Sequence, residues 1–337
     1  NGADLATFNQ IKTYLTDGNP NTAFTATTVA DFTYLVNKNK VVAKSSTVTS
    51  ARNPEAIVYV RGGDYANAYT IEIKPAGQSG FTEVAKVTTA KSGEDKGEAN
   101  IATDKIAKAL KDGSAFGNAV DDGSDGVGKI KEDLDNILGS GIFSNLSATV
   151  TGSVIHIKSS QPKTDNPSTS GDFEIRVTDS RSNGFIQAFK DSTLRFAELP
   201  GAGPTDAKDM IIKITGDNSK FADDFYVKLT DETKGIYEET VATGLQNSLD
   251  PSTMPLQIIK ETNGTFSIKQ AGWSSRVAGD DDSNPFPSFV GSTLSDIFFH
   301  QNRLGVLSEE RVIFTEAGKF LNWFRPTVLN LLDTDPI

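Results

Sequence analysis

Apolar and polar positions alternate strictly along AYTIEIK (68–74): Tyr69, Ile71 and Ile73 fall on one side, Thr70, Glu72 and Lys74 on the other. Successive side chains of an extended chain point to opposite faces, so this pattern predicts a half-buried strand. The apolar run IVYV (57–60) stands just upstream across the turn-forming RGGDYAN, and the two are expected to pair. Further strands are predicted in GSVIHIKS (152–159), DFEIRVTD (172–179) and TFSIKQ (265–270).

The period lengthens in three places. Leu5, Phe8, Ile11 and Leu15 recur at helical intervals, which predicts a helix over 4–15 that ends in TDGNPN. Ala99, Ala102, Ile106 and Leu110 share one helical face. Ile130, Leu134, Ile137 and Leu138 share another, with Gly139 placed to end that helix. The stretch TTVADFTYLVNKNKVVA (27–43) reads as strands with a hairpin turn at Asn37–Lys40.

One order of elements occurs twice. VRGGDYANAYTIEI (60–73) and ITGDNSKFADDFYVKL (214–229) both run strand, Gly-Asp turn, aromatic-rich strand. This predicts two related mixed β units joined by the Pro/Gly-rich LPGAGPTDA (199–207). Four segments result: 1–50, a helix and hairpin; 51–198, a β unit with two inserted helices; 199–278, a second β unit; and 279–337. The last combines a Pro/Phe strap with RLGVLSEERVIF, where Leu304, Val306 and Leu307 face Val312 and Phe314 across a short turn, and with the aromatic AGKFLNWF. The expected fold class is mainly β with a small α+β part. It consists of antiparallel mixed β domains followed by hairpins of an incomplete propeller- or barrel-like domain.

Composition removes several functions. The chain has 337 residues, enough for two or three domains. Cysteine is absent, which excludes disulfides, thiolate zinc sites and cysteine nucleophiles. His156 and His300 are the only histidines, too few for a multi-histidine metal centre. Mean hydropathy is −0.32, and no apolar run approaches the ~18 residues of a membrane-crossing helix. A net charge of −11 argues against wrapping nucleic acid in a basic groove. It does not argue against DNA passing by, because an acidic wall repels phosphates over roughly one Debye length, ~8 Å.

Most candidate sites have a structural explanation. In GDDDSNPFPSFVG (279–291), Asp280, Asp282 and Asn284 fall at the first ligand positions of a calcium loop, but Pro285 and Gly291 stand where that loop needs Gly and Glu. DDGSDGVGKIKE (121–132) comes closer, with Asp121, Asp125 and Glu132 at ligand positions. Gly123 and Lys129 weaken it, and it is read as an acidic connector between helices. His156 is expected on a solvent-facing strand position, and His300 in a buried polar network with Gln301, Asn302 and Arg303. Acid pairs at 223–224, 238–239 and 309–310 read as solvated turn or edge residues. Trp273 and Trp323 read as core clasps. Neither a catalytic nor a cofactor site is expected.

The stretch from Trp273 to Ile337 carries GDDDSNPFPSFVG, DIFFHQNRLGVLS, FLNWF and LLDTDPI. In these motifs the chain resembles the tail tubular protein B family, the tail nozzle proteins of podoviruses (short-tailed bacteriophages). ATTVADFTYLVNKNKVV, YVRGGDYANAYTIEI and YVKLTDETKGIYEETV resemble it more loosely, and residues 98–140 not at all. The resemblance implies a structural virion protein of the phage tail and no enzyme or cofactor. It implies a ring of six identical subunits beneath an adaptor ring of tail tubular protein A, with tail fibres outside and phage DNA passing through without tight binding. Family members run well beyond LLDTDPI, so the chain is expected to be an amino-terminal part. The assembly motif then comprises Asp280, Asp281, Asp282, Pro285, Phe286, Pro287, Phe289, Arg303, Leu304, Gly305, Trp323 and Phe324. Pro285 and Pro287 lack an amide hydrogen, so an extended interdomain strap anchored by Phe286 and Phe289 is expected. Asp280–Asp282 stay in water or meet Arg276 or Arg303. Two alternatives come from other classes: a tail-associated polysaccharide-degrading enzyme, which needs two converging carboxylates, and a calcium-dependent adhesion module built on 121–132.

Overall fold

The computed structural model describes residues 2–92, 101–114, 129–216 and 224–337. Strands make up 36% of it and helices 13%, so the chain is mainly β, in several sheets whose strands run chiefly antiparallel. Among the described residues no sheet closes into a barrel, and no helix is long and apolar enough to cross a membrane. The chain divides into two compact units. Asn1–Ser50, Asp224–Tyr226 and Glu239–Ile337 form one; Ala51–Asp223 and Val227–Glu238 form the other.

The first unit opens with the helix Gly2–Leu15, followed by β1 (Phe24–Val29) and β2 (Phe32–Asn37). The hairpin between these strands turns at Ala30–Asp31, with Ala30 at φ +52°. The expected turn at Asn37–Lys40 does form, the Lys40 N–H donating to the Asn37 carbonyl (3.2 Å), but it makes no hairpin, because Val41 bridges to Thr293 instead of returning along β2. Asn37, which opens that turn, also fastens the helix. Its N–H donates to Tyr14 Oη (2.9 Å) and its Nδ2 to the Tyr14 carbonyl (2.8 Å), which ties the helix end to the strand.

In the second unit the strands are β3 (Glu55–Val60), β4 (Ala68–Pro75), β5 (Thr82–Thr88), β6 (Lys129–Glu132), β7 (Leu146–Thr151), β8 (Val154–Ser159), β9 (Phe173–Asp179) and β10 (Ile186–Phe189). They form two sheets, ordered β10-β3-β8-β7 and β6-β5-β4-β9. The expected pairing of 57–60 with 69–73 does not occur, because β3 and β4 belong to different sheets. The connecting loop crosses between them: the Tyr69 hydroxyl donates to the Gly62 carbonyl (3.1 Å), and a Cβ on Gly63 would lie 1.7 Å from the Ile101 carbonyl oxygen. Both sheets and the helix Thr103–Asp112 bury one core that includes Val58, Ile71, Val87, Ile106, Leu110 and Ile155.

Residues 130–138 form no single helix. Lys129–Glu132 pairs with β5, and only Leu134–Ile137 is helical, started by Asp133, whose Oδ1 accepts the Asn136 N–H at 3.2 Å. A third sheet, β11-β12-β13-β14, follows with β11 (Ser192–Thr193), β12 (Ile211–Ile214), β13 (Phe225–Asp231) and β14 (Ile236–Thr240). Here β12 and β13 are neighbours, unlike β3 and β4, so the two stretches with similar sequence order are used differently. The Pro/Gly-rich segment 199–207 is packed rather than free: Gly203, Pro204 and Ala207 are buried.

The chain then completes the first unit with β15 (Leu256–Lys260), β16 (Phe266–Gln270), β17 (Asp296–His300), β18 (Arg303–Ser308) and β19 (Arg311–Phe314). Its sheets are β1-β2-β15-β16 and β17-β18-β19. The β18–β19 hairpin pairs Val306 with Ile313 and Leu307 with Val312, turning at Glu309–Glu310. Tyr34, Val36, Met254, Phe289, Leu304 and Trp323 share the core of this unit.

Candidate assembly site

The acidic tripeptide closes a turn. Asp280 Oδ1 accepts the Ser283 N–H (2.9 Å) and the Asp282 N–H (3.1 Å), while the Asp280 carbonyl accepts the Asn284 N–H at 3.0 Å. Burial pushes the Asp280 carboxyl up, but hydrogen bonds from Ser283 and Tyr226 outweigh it and hold the group below its ordinary value. Gly279, at φ +76°, starts the turn, where any Cβ would collide with Ser283 Oγ and a Val328 methyl. Asp281 pairs with Arg276 at 2.7 Å, and Asp282 is exposed.

Arg276 organises the region from within. It is fully buried, and it donates to the carbonyls of Asn284 (3.0 Å) and Gln246 (2.8 Å) as well as to Asp281. Its guanidinium lies 5.1 Å from the Phe286 ring centroid, and Lys44 Nζ lies 4.3 Å from the same ring. Asn284, also buried, fastens two further segments: Nδ2 donates to the carbonyls of Ala278 and Arg325, and Oδ1 accepts the Arg325 N–H.

Beyond this turn the strap carrying Pro285 and Pro287 packs inside one unit, where a strap between domains was expected. Phe289 is fully buried and meets Trp323 edge-on at 5.1 Å; Phe286 is half-buried and meets Phe324 at 5.3 Å. Trp273 stacks obliquely on Trp323 and reaches Tyr34. Arg303 does not meet the acidic tripeptide. Buried on β18, it donates to the carbonyls of Thr315, Asp335 and Asp333 at 2.6–2.8 Å and so holds the segment that ends at Ile337. Leu304 is in the core, and Gly305 is buried with the Phe298 ring packed against its Cα. His300 is exposed, contrary to expectation; Gln301 and Asn302 take positive φ in the turn, and only Arg303 belongs to a buried network. Glu239, expected in solvent, accepts the Val328 N–H (2.7 Å) and the Thr327 hydroxyl.

A second polar cluster lies in the other unit. His156 is fully buried, not solvent-facing, because the segment carrying Asp206 covers the strand face on which it lies. Its Nε2 is 2.9 Å from Glu55 Oε2, and its Nδ1 is 3.3 Å from Asp206 Oδ2, outside hydrogen-bond alignment. Arg52 grips Glu55 and also reaches the Asp206 carbonyl, while Thr149 donates to Asp206 (2.7 Å). Burial raises both carboxyls, yet both are held below their ordinary values, Glu55 by Arg52 and His156, Asp206 by Thr149 and His156.

Of the calcium-loop residues, Asp121 and Asp125 lie outside the described residues, and Glu132 stands in β6 opposite Lys86. Among the described residues no group of three or more histidine and carboxylate side chains could hold a metal. The sequence reading missed Asn284 and Glu239 as backbone anchors and Glu55 and Asp206 as partners of His156; each acts on groups distant in sequence, which no local pattern signals.

The family model for bacteriophage nozzle proteins matches residues 3–337. Tail tubular protein gp12 of Escherichia phage T7 is 28% identical over 328 residues, covering 96% of this chain and 36% of that protein. The chain therefore spans about a third of the length of this curated relative.

Proposed function

The chain belongs to the bacteriophage nozzle protein family, and on that premise we propose that it serves in the virion tail as a structural, non-enzymatic subunit of the nozzle through which DNA leaves. The observation that carries the proposal is how the polar side chains within the Trp273–Ile337 stretch, and Glu239 that binds it, are used. Arg276, Arg303 and Asn284 end on backbone carbonyls of their own chain, and Asp280 and Glu239 on its amides and hydroxyls. Groups engaged in this way hold shape and are not presented to a substrate.

The mechanism is geometric and electrostatic. Stiff β units close a ring of six around the tail axis, an adaptor ring docks on it, and fibres attach outside. Excess acid at the wall keeps phosphates from sticking. The test is mass spectrometry of tails purified from intact virions, with chemical cross-linking. The protein is expected in the tail fraction, with cross-linked species up to six copies. Its absence from purified tails overturns the assignment.

A further inference from the structure

One edge of the β17-β18-β19 sheet is only partly used. Phe314 and Ile337 exchange both backbone hydrogen bonds, at 2.7 and 3.1 Å, the mark of a hydrogen-bonded antiparallel pair. The next amide, Thr315 N–H, points the other way and donates to Leu304 on β18 (2.9 Å). By alternation Ile313 and Arg311 bond toward β18, and the N–H and C=O of Val312 face outward, beyond Ile337 along the same edge. A cavity of about 500 Å³ borders this edge, with Pro285, Phe286, Pro287, Val312, Ile313 and Trp323 in its wall. The prolines in that wall have no N–H to offer a strand, so a chain entering there takes its ladder from β19. Trp323 is 3% exposed, and its indole N–H has no acceptor.

We propose that this edge is a strand-acceptor site, filled by the residues that follow Ile337 in a longer form of the chain. Phe314 and Ile337 already fix the register and direction, and the phage T7 relative, of which this chain spans 36%, has the length to supply such a segment. The first residue after Ile337 stands opposite Ile313, its side chain on the core face. The second closes the next hydrogen-bonded pair, with Val312. The ladder geometry is the same whatever the role of the protein.

Amide hydrogen exchange tests it, with Val312 as reporter and Ile313, bonded to β18 in either case, as the internal control. The 337-residue chain is compared with the protein as the phage encodes it. Val312 is expected to exchange on the order of tenfold or more slowly in the longer protein, with Ile313 unchanged. Equal Val312 rates in the two proteins overturn the proposal. Protection of Val312 in the 337-residue chain that grows with concentration also overturns it, by giving the edge to a second copy. An encoded chain that stops at Ile337 overturns it as well.

Discussion

Gly305 lies on the central strand β18 opposite Phe298 on one side and Phe314 on the other, and the two rings meet edge-on at 5.5 Å. A Cβ there would lie 2.5 Å from the Phe298 ring. The glycine gives up strand propensity to admit the aromatic pair. Gly305→Val is expected to lower stability by about 1–3 kcal/mol in urea denaturation; an unchanged midpoint would show that the rings move aside freely. Glu55 makes a different residue-scale test. Its folded pKa is held below the ordinary 4.5 by Arg52 and His156 against the opposing effect of burial. A depressed carboxyl contributes stability that is present above its ordinary value and lost as pH falls through the folded one. Glu55→Gln should therefore cost about 1–3 kcal/mol at pH 7, with the gap to wild type narrowing below about pH 4.5. A gap that stays constant down to pH 3 would remove the electrostatic account.

The strap 285–289 shows how one element divides its anchoring. Phe289 is wholly inside the core against Trp323, whereas Phe286 is half-buried, held by Phe324 and flanked by Lys44 and Arg276. Phe289→Ala is expected to cost about 3–5 kcal/mol and Phe286→Ala about 1–2 kcal/mol, measured by denaturation alongside protease resistance of residues 275–290. Equal costs would contradict this division. The same contrast marks what the sequence could reveal. Alternation in β4, the buried face of Thr103–Asp112 and the β18–β19 hairpin were legible because each follows from neighbours within a few residues. The burial of His156 was not, since its cover comes from Asp206, fifty residues on. Nor was the 30–31 turn, because Asn37–Lys40 has the better turn residues and does turn, yet the chain leaves it toward Thr293 instead of pairing back on β2. Residues 130–138 carry a spacing that fits a helix as well as a strand followed by one helical turn, and pairing with β5 decides the outcome.

Across the whole chain 44 acidic residues face 33 basic ones, and several of the basic ones are already committed. Arg52 grips Glu55, Arg276 and Arg303 bind backbone carbonyls from buried positions, and Arg325 joins Asp335 and neighbouring carbonyls. Binding a phosphate backbone requires several free cations on one face, because the affinity comes from released counterions, about one per phosphate neutralised. Ordinary non-specific DNA-binding proteins reach roughly 10⁻⁴–10⁻⁶ M at physiological salt and tighter at low salt. This chain is expected to stay weaker than about 10⁻⁴ M even near 50 mM salt, where cationic contacts are least screened. A gel-shift titration with duplex DNA over a salt series reads this directly. Tight binding that weakens steeply as salt rises would reveal a concentrated basic face, and DNA would then be gripped by the wall it is proposed to slide along.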